Sequence, residues 1–94
     1  MYAVVRRYKG PSPLIDELVR RQADVKQLLQ GVPGFMSYYL MRASDGSGAS
    51  ITICQDQAGT TESTRVAGDW VRQNLPAAAG SPPEVTDGEV MFSF

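Results

Sequence analysis

The 94-residue chain has nine Lys and Arg against ten Asp and Glu, a formal net charge of −1, and is 43% hydrophobic and 20% charged. This length provides one modest core, so we expect a single domain over residues 1–94. The near-neutral charge gives no electrostatic reason to expect binding to nucleic acid or to an anionic membrane, and no apolar run approaches the roughly 18 residues that cross a bilayer.

The cysteine and histidine content restricts the kinds of disulfide, catalytic site and metal site that the chain can form. The only cysteine, Cys54, cannot form an internal disulfide, and the first residues lack the basic and apolar pattern of a secretory signal, so we expect a cytoplasmic location. The chain has no histidine, which removes histidine-based triads, general bases and metal ligation. The acidic residues show no metal-ligand spacing, so no metal site is predicted.

The first half of the chain predicts a strand, a helix and a second strand. Residues 1–8 are rich in β-forming side chains. Ser12 followed by Pro13 is a helix start, with a hydroxyl cap and proline at the first helical position. The helix is predicted over 13–30, because Gly31 and Pro33 end it, and a second strand is predicted over 35–42.

The second half predicts a hairpin, a helix and a final strand. The turn cluster at 44–48 joins the second strand to a third, over 49–55. The second helix begins between Asp56 and Thr61, where two caps compete, and ends at Leu75. Residues 77–84 form a loose segment. The motif EVMFSF at 89–94 predicts a fourth strand, with a start nearer Val85 favoured.

This order, β-α-β-β-α-β, is the ferredoxin-like arrangement of the α+β class. It predicts a four-stranded antiparallel sheet with both helices on one face.

The strands carry apolar side chains on both faces. In the second strand, alternation puts Phe35, Tyr39 and Met41 on one face and Met36, Tyr38 and Leu40 on the other. Helices cover only one face, and a monomer rarely exposes so large an apolar patch as the other face would form. We therefore predict a homodimer in which two sheets pack face to face around a barrel-like interior. The alternative is that some of these residues merely contact the terminal loops.

Polar side chains interrupt the inward stripes of both helices. In the second helix, Ser63 and Asn74 lie in the same stripe as Trp70. In the first helix, Gln22 lies inside the apolar stripe and Arg21 at its edge. Either Tyr38 or Tyr39 faces this layer, because neighbours on a strand point to opposite sides.

These residues predict a cavity between helices and sheet for a flat, mostly apolar ligand with hydroxyl or carbonyl groups. The alternative gives each residue a structural role. Trp70 would anchor the core, Ser63 would bond to its own helix, and Asn74 would cap the helix end.

Two motifs carry a family resemblance. The VPGF junction at 32–35 and the ESTRVAGDWV helix at 62–71, within this order of elements, resemble the antibiotic biosynthesis monooxygenase-like family of the dimeric α+β barrel superfamily. Trp70 matches the family's inward tryptophan. The resemblance implies a homodimer with a ligand pocket in each subunit. Its enzymes oxidise aromatic phenols or anthrones with molecular oxygen, without metal or flavin, so no cofactor is expected.

The resemblance leaves the activity open. Haem-degrading relatives hold iron through a histidine, which this chain lacks. A monooxygenase here would need substrate self-ionisation, a carboxylate or tyrosinate base, or a water relay, and no catalytic residue is assigned. The leading expectation is a dimer that binds a small aromatic or apolar molecule, with cofactor-independent oxygenase chemistry open. The alternatives are a non-catalytic, stress-linked or accessory binding dimer, or a structural interaction dimer with a filled pocket.

Overall fold

The computed structural model of the chain describes residues 1–80 and 82–94. The elements in chain order are β1 (Tyr2–Tyr8), α1 (Pro13–Arg20), α2 (Gln22–Gln30), β2 (Phe35–Arg42), β3 (Gly48–Cys54), α3 (Gln57–Asn74), α4 (Pro76–Ala79) and β4 (Glu84–Glu89). The strands form an antiparallel sheet in the order β2-β3-β1-β4. The helices cover one face, so the predicted ferredoxin-like α+β fold is confirmed. We call the other side of the sheet the open face.

The central strands place alternate residues toward the helices. In β1, Val4 and Arg6 are buried there, opposite Thr52 and Ser50 of β3. Val5 pairs with a β3 isoleucine on the open face, and both are only partly buried. β1 therefore follows the regular alternation of a strand.

A β-bulge corrects the predicted faces of β2. Phe35 pairs with Cys54 and Ser37 with Ile53, so Met36 is the extra residue between two ladder positions. A bulge shifts the alternation by one residue. Phe35 consequently lies on the helix side together with Tyr38, and not with Tyr39 on the open face as the strict alternation predicted.

The predicted first helix is divided at Arg21, which has φ −102° and ψ 28°. The amide of Arg21 still donates to the Glu17 carbonyl and its carbonyl accepts from Val25, so the chain bends without losing these hydrogen bonds. Neither glycine nor proline lies at this point, and the sequence therefore carries no signal for the division.

The predicted second helix is α3, and it begins at one of its two candidate caps. Asp56 is the N-cap, and its carboxylate accepts a hydrogen bond from the Gly59 amide at 3.1 Å. The helix ends at Asn74, and the short α4 begins at Pro76 and extends into the predicted loose segment, 77–84. Ser81, also in that segment, lies outside the described residues.

The fourth strand corrects the prediction for the end of the chain. It spans Glu84–Glu89, so the start near Val85 is right and the continuation to Phe94 is wrong. The partner strand limits it, because Glu89 already pairs with Tyr2, the first residue of β1. Beyond it, Phe92 is 75% exposed and Phe94 fully exposed. The alternating apolar pattern of this segment has no strand of the described chain to pair with.

No helix within the described part of the chain is long and apolar enough to cross a membrane.

Candidate functional site

A cleft of about 490 Å³ lies between the α1–α2 pair and the edge strand β2. We call it the outer cleft. Its walls are mostly apolar, and the side chains that line it include Leu18, Gln22, Val25, Leu29, Phe35 and Tyr38. The space exists because α3 packs directly on the central strands, whereas α1 and α2 pack mainly on other helices. The volume is in the range of small-molecule sites.

A second, smaller cavity of about 30 Å³ lies deeper in the helix–sheet layer. We call it the inner chamber. Arg6, Tyr8, Ser50 and Trp70 line it, and it has room for about one water molecule. Four side chains line both cavities and therefore separate them: Leu18, Val25, Leu29 and Tyr38. Tyr38 is the only one of these four that carries a polar group.

Arg6 is the most unusual residue of this layer. It is 3% exposed and points from the middle of β1 toward the helices. Its guanidinium donates to three side-chain hydroxyls, those of Thr52 at 3.0 Å, Ser63 at 2.9 Å and Thr64 at 2.9 Å. The Nε atom has no hydrogen-bond partner among the described residues. No carboxylate of residues 1–80 and 82–94 lies within ion-pair distance of Arg6.

Burial shifts the pKa values of two groups around the inner chamber. Desolvation lowers the pKa of Arg6, partly offset by the nearby Tyr8 and Tyr38 phenols. Desolvation raises the pKa of Tyr38 to about 12 and Tyr8 adds to this rise, while Ser50 and Arg6 oppose it. Tyr38 is consequently a neutral phenol near pH 7, which can donate a hydrogen bond but cannot serve as a tyrosinate base.

Trp70 lies in the helix–sheet layer, beside the inner chamber. It is half-buried, lines the inner chamber and packs against the core cluster of Leu14, Leu18 and Leu75. The Arg21 guanidinium lies 5.1 Å from the centroid of its ring, a cation–π geometry. Arg21 also pairs with Asp24, in the first turn of α2, at 2.7 Å.

The other predicted pocket residues are divided among several places. Tyr38 lines both cavities, and Gln22 lies at the rim of the outer cleft. Ser63 is fully buried beneath Arg6, where its hydroxyl also donates to the Thr60 carbonyl. Asn74 and Tyr39 lie apart from the two cavities. Asn74 is exposed and its amide donates to the Trp70 carbonyl, the helix-end role of the alternative reading, and Tyr39 is 59% exposed on the open face.

Sequence reasoning missed Arg6, although a signal was present. Alternation along β1 places Tyr2, Val4 and Tyr8 on one face, and Arg6 has the same parity. A cation on the covered face of a central strand must find partners, because an unpaired buried charge is costly. Its neighbour Arg7, on the open face, is exposed to solvent.

The Cys54 thiol and the possible metal-binding side chains are weaker candidates for a functional site. Cys54 is fully buried, and desolvation raises the pKa of its thiol, so it is a poor nucleophile. Among residues 1–80 and 82–94, no group of three His, Cys, Asp or Glu side chains could hold a metal ion.

The structure is similar to several solved proteins over almost its whole length. A variant of MhuD with two manganese protoporphyrin IX molecules per active site shares 15% identity over 100% of this chain and 98% of its own, with a TM-score of 0.76. The ActVA-Orf6 monooxygenase of Streptomyces coelicolor, in complex with nanaomycin D, shares 15% identity over 99% and 89%, with a TM-score of 0.71. SnoaB of Streptomyces nogalater, a cofactor-independent oxygenase, shares 21% identity over 98% and 93%, with a TM-score of 0.64.

The chain has the fold of the antibiotic biosynthesis monooxygenases. The structural resemblance predicted from the two motifs is therefore confirmed. No family model and no curated protein matches the sequence itself. At these low identities the likeness establishes the fold, and the activity has to be argued from the residues of this chain.

Proposed function

We propose that this protein is a small-molecule-binding dimer whose outer cleft holds an aromatic or apolar ligand. The observation that carries the proposal is the cleft itself, about 490 Å³ of mostly apolar space beside a phenol and a deeper polar chamber. Apolar walls with a few oriented polar groups are typical of ligand sites. Solved proteins of the same fold contain nanaomycin D in one case and protoporphyrins in another.

The open face supports the dimer. Tyr39 and Met41 are more than half exposed there, and Val5, Ile51 and Ile53 are only partly buried. A second copy packed against this face would remove their apolar area from water at roughly 25 cal/mol per Å². The cleft lies on the opposite side of the sheet, so sheet-to-sheet packing would leave it accessible.

Cofactor-independent oxygenation is the second candidate function. In that reaction a phenol or anthrone loses a proton, and the resulting anion gives electrons to molecular oxygen. One oxygen atom stays in the product as a carbonyl and the other leaves as water. Arg6 favours this candidate, because a buried cation with an unpaired N–H could stabilise the anion. Neutral Tyr38 argues for a substrate that ionises without a tyrosinate base.

Trp70 provides the test of binding, because it is the only tryptophan and lines the inner chamber. A panel of phenols, quinones, anthrones and fatty acids would be titrated while its fluorescence is followed, with corrections for ligand absorbance and with free tryptophan as a control. A saturable change with one ligand class is the expected result. No response across the panel would contradict the proposal and favour a structural dimer.

Oxygen consumption then separates the two candidates. A ligand from the responding class would be incubated with the protein in an oxygen electrode. Uptake of one O₂ per ligand, above the rate without protein, would identify an oxygenase. Binding without uptake would identify a non-catalytic binding protein.

A further inference from the structure

We propose that Arg6 makes the inner chamber an anion subsite, so that the preferred ligand is an aromatic carboxylate. Its ring system would occupy the outer cleft and one carboxylate oxygen would enter the chamber. This inference rests on the proposed ligand-binding function and specifies the ligand class for the same site.

The hydrogen-bond partners of Arg6 do not balance its charge. A buried cation is stable only when its desolvation is compensated, usually by a carboxylate. The groups that bond Arg6 are three neutral hydroxyls. Hydroxyls satisfy N–H donors but bring no negative charge. A ligand carboxylate would supply the charge that the described part of the chain does not place against this guanidinium.

Arg6 also has more N–H donors than the three hydroxyls accept. A guanidinium has five N–H groups, and the three hydroxyl bonds use one hydrogen of Nη1 and both of Nη2. The Nε–H remains without an acceptor among the described residues. Because the hydroxyls fix the guanidinium in place, this donor is already oriented before a ligand arrives.

One acidic side chain affects Arg6 but has another hydrogen-bond partner. Desolvation lowers the pKa of Arg6, and Asp87 comes last among the groups that oppose this shift, after Tyr8, Tyr38 and Cys54. Its carboxylate accepts a hydrogen bond from the Thr60 hydroxyl at 2.9 Å, and the residue is exposed to solvent. Asp87 therefore does not bond the Nε–H of Arg6.

The geometry also limits how the anion enters. The chamber holds about one water-sized group, so it can take an oxygen atom but not a ring. The outer cleft is large enough for the ring system. Tyr38 lies between them, and rotation of its side chain would join the two spaces and bring its phenol O–H to the carboxylate.

The test compares two ligands of the same shape. Naphthoate is an anion at neutral pH, whereas naphthamide replaces one carboxylate oxygen with an amide nitrogen and is neutral. Isothermal titration calorimetry would measure both against the dimeric protein. We expect naphthoate to bind roughly tenfold or more tightly, the size of effect typical of a charge-assisted hydrogen bond.

Three variants assign the preference to one residue. Arg6→Met should bind the two ligands equally, and Arg6→Lys should keep part of the preference because it keeps the charge. Arg7→Met is the matched control, since it removes the same charge from the neighbouring residue, which lies on the open face in a loose pair with Glu84 at 3.7 Å. It should leave the preference unchanged.

The outcomes separate this inference from the proposed function. If the amide binds as tightly as the acid, or if the preference survives in Arg6→Met, the anion subsite is refuted while ligand binding stands. If neither compound nor any member of the fluorescence panel binds, both proposals fail. Should Arg6→Met not fold, the comparison of Arg6→Lys with Arg7→Met decides, because an equal preference in both variants and the parent would refute the role of Arg6.

Discussion

Replacing Tyr38 with phenylalanine should make the protein less sensitive to alkaline pH. The pKa of Tyr38 rises from 10.0 to about 12 on folding, chiefly because the phenol is desolvated. The folded state therefore keeps a proton that the unfolded chain loses. The stabilising contribution of the neutral phenol is complete below the unfolded value and is lost as pH rises from 10.0 toward 12.

The shift sets the magnitude of this loss. At about pH 11 the unfolded tyrosine is mostly ionised and the folded one mostly neutral, which lowers the free energy of unfolding by about 1.4 kcal/mol. At about pH 9 the effect is close to zero. Above the folded value it reaches about 2 to 3 kcal/mol.

Urea unfolding at several pH values would measure this loss in the parent protein and in Tyr38→Phe. The comparison uses the difference between the two proteins, because contributions that do not involve Tyr38 are common to both and cancel. Between about pH 9 and pH 11 the parent should lose about 1.4 kcal/mol more than the variant. Equal losses would refute the buried position of the Tyr38 phenol, and with it the partition between the two cavities.

Three further changes test the packing and the assembly. Gly59→Ala should lower the free energy of unfolding by about 1–3 kcal/mol in urea unfolding, because its Cβ would lie 2.8 Å from the Cys54 Cβ and 2.9 Å from the Pro33 carbonyl. Gly68→Ala in the same helix is the control, because its Cβ would meet only the flexible end of an arginine side chain, at 3.4 Å. This variant should be as stable as the parent or up to about 1 kcal/mol more stable. Equal effects of the two substitutions would contradict the close approach of α3 to Cys54. Asp56→Ala should cost about 1 kcal/mol in the same assay through loss of the helix cap, and no cost would show that the capping hydrogen bond contributes nothing. Light scattering should give twice the 10.2 kDa chain mass for the parent protein and the monomer mass for Tyr39→Glu. The circular dichroism spectrum of the variant should be unchanged. A monomeric parent would refute the dimer.

The fold was largely predictable because its signals are local. Apolar periodicity and β-forming runs identified the strands, and Asp56 was one of two recognised caps of the second helix. The two motifs also led to the correct structural resemblance. The prediction was wrong where the extent of an element depends on the strand with which it pairs. The last strand ends at Glu89 because β1 begins at Tyr2, although the apolar alternation continues to Phe94.

The candidate site was predictable only in part. Helical spacing correctly directed Trp70 toward the sheet, and alternation showed that only one of Tyr38 and Tyr39 could face the helices. The choice between the two tyrosines depends on the register of β2, with its bulge at Met36, against β3. A sequence does not encode that register in any single residue.

The sequence by itself thus determined the order of the elements, the absence of histidine chemistry and the apolar character of both sheet faces, because each follows from residue type and period. Only the tertiary structure decided that Arg6 meets hydroxyls from β3 and α3 and, within residues 1–80 and 82–94, no carboxylate. Those partners come from positions 46, 57 and 58 residues away along the chain. The charge balance of a buried group depends on which distant side chains the fold brings within hydrogen-bonding distance, and this is a property of packing that no local pattern contains.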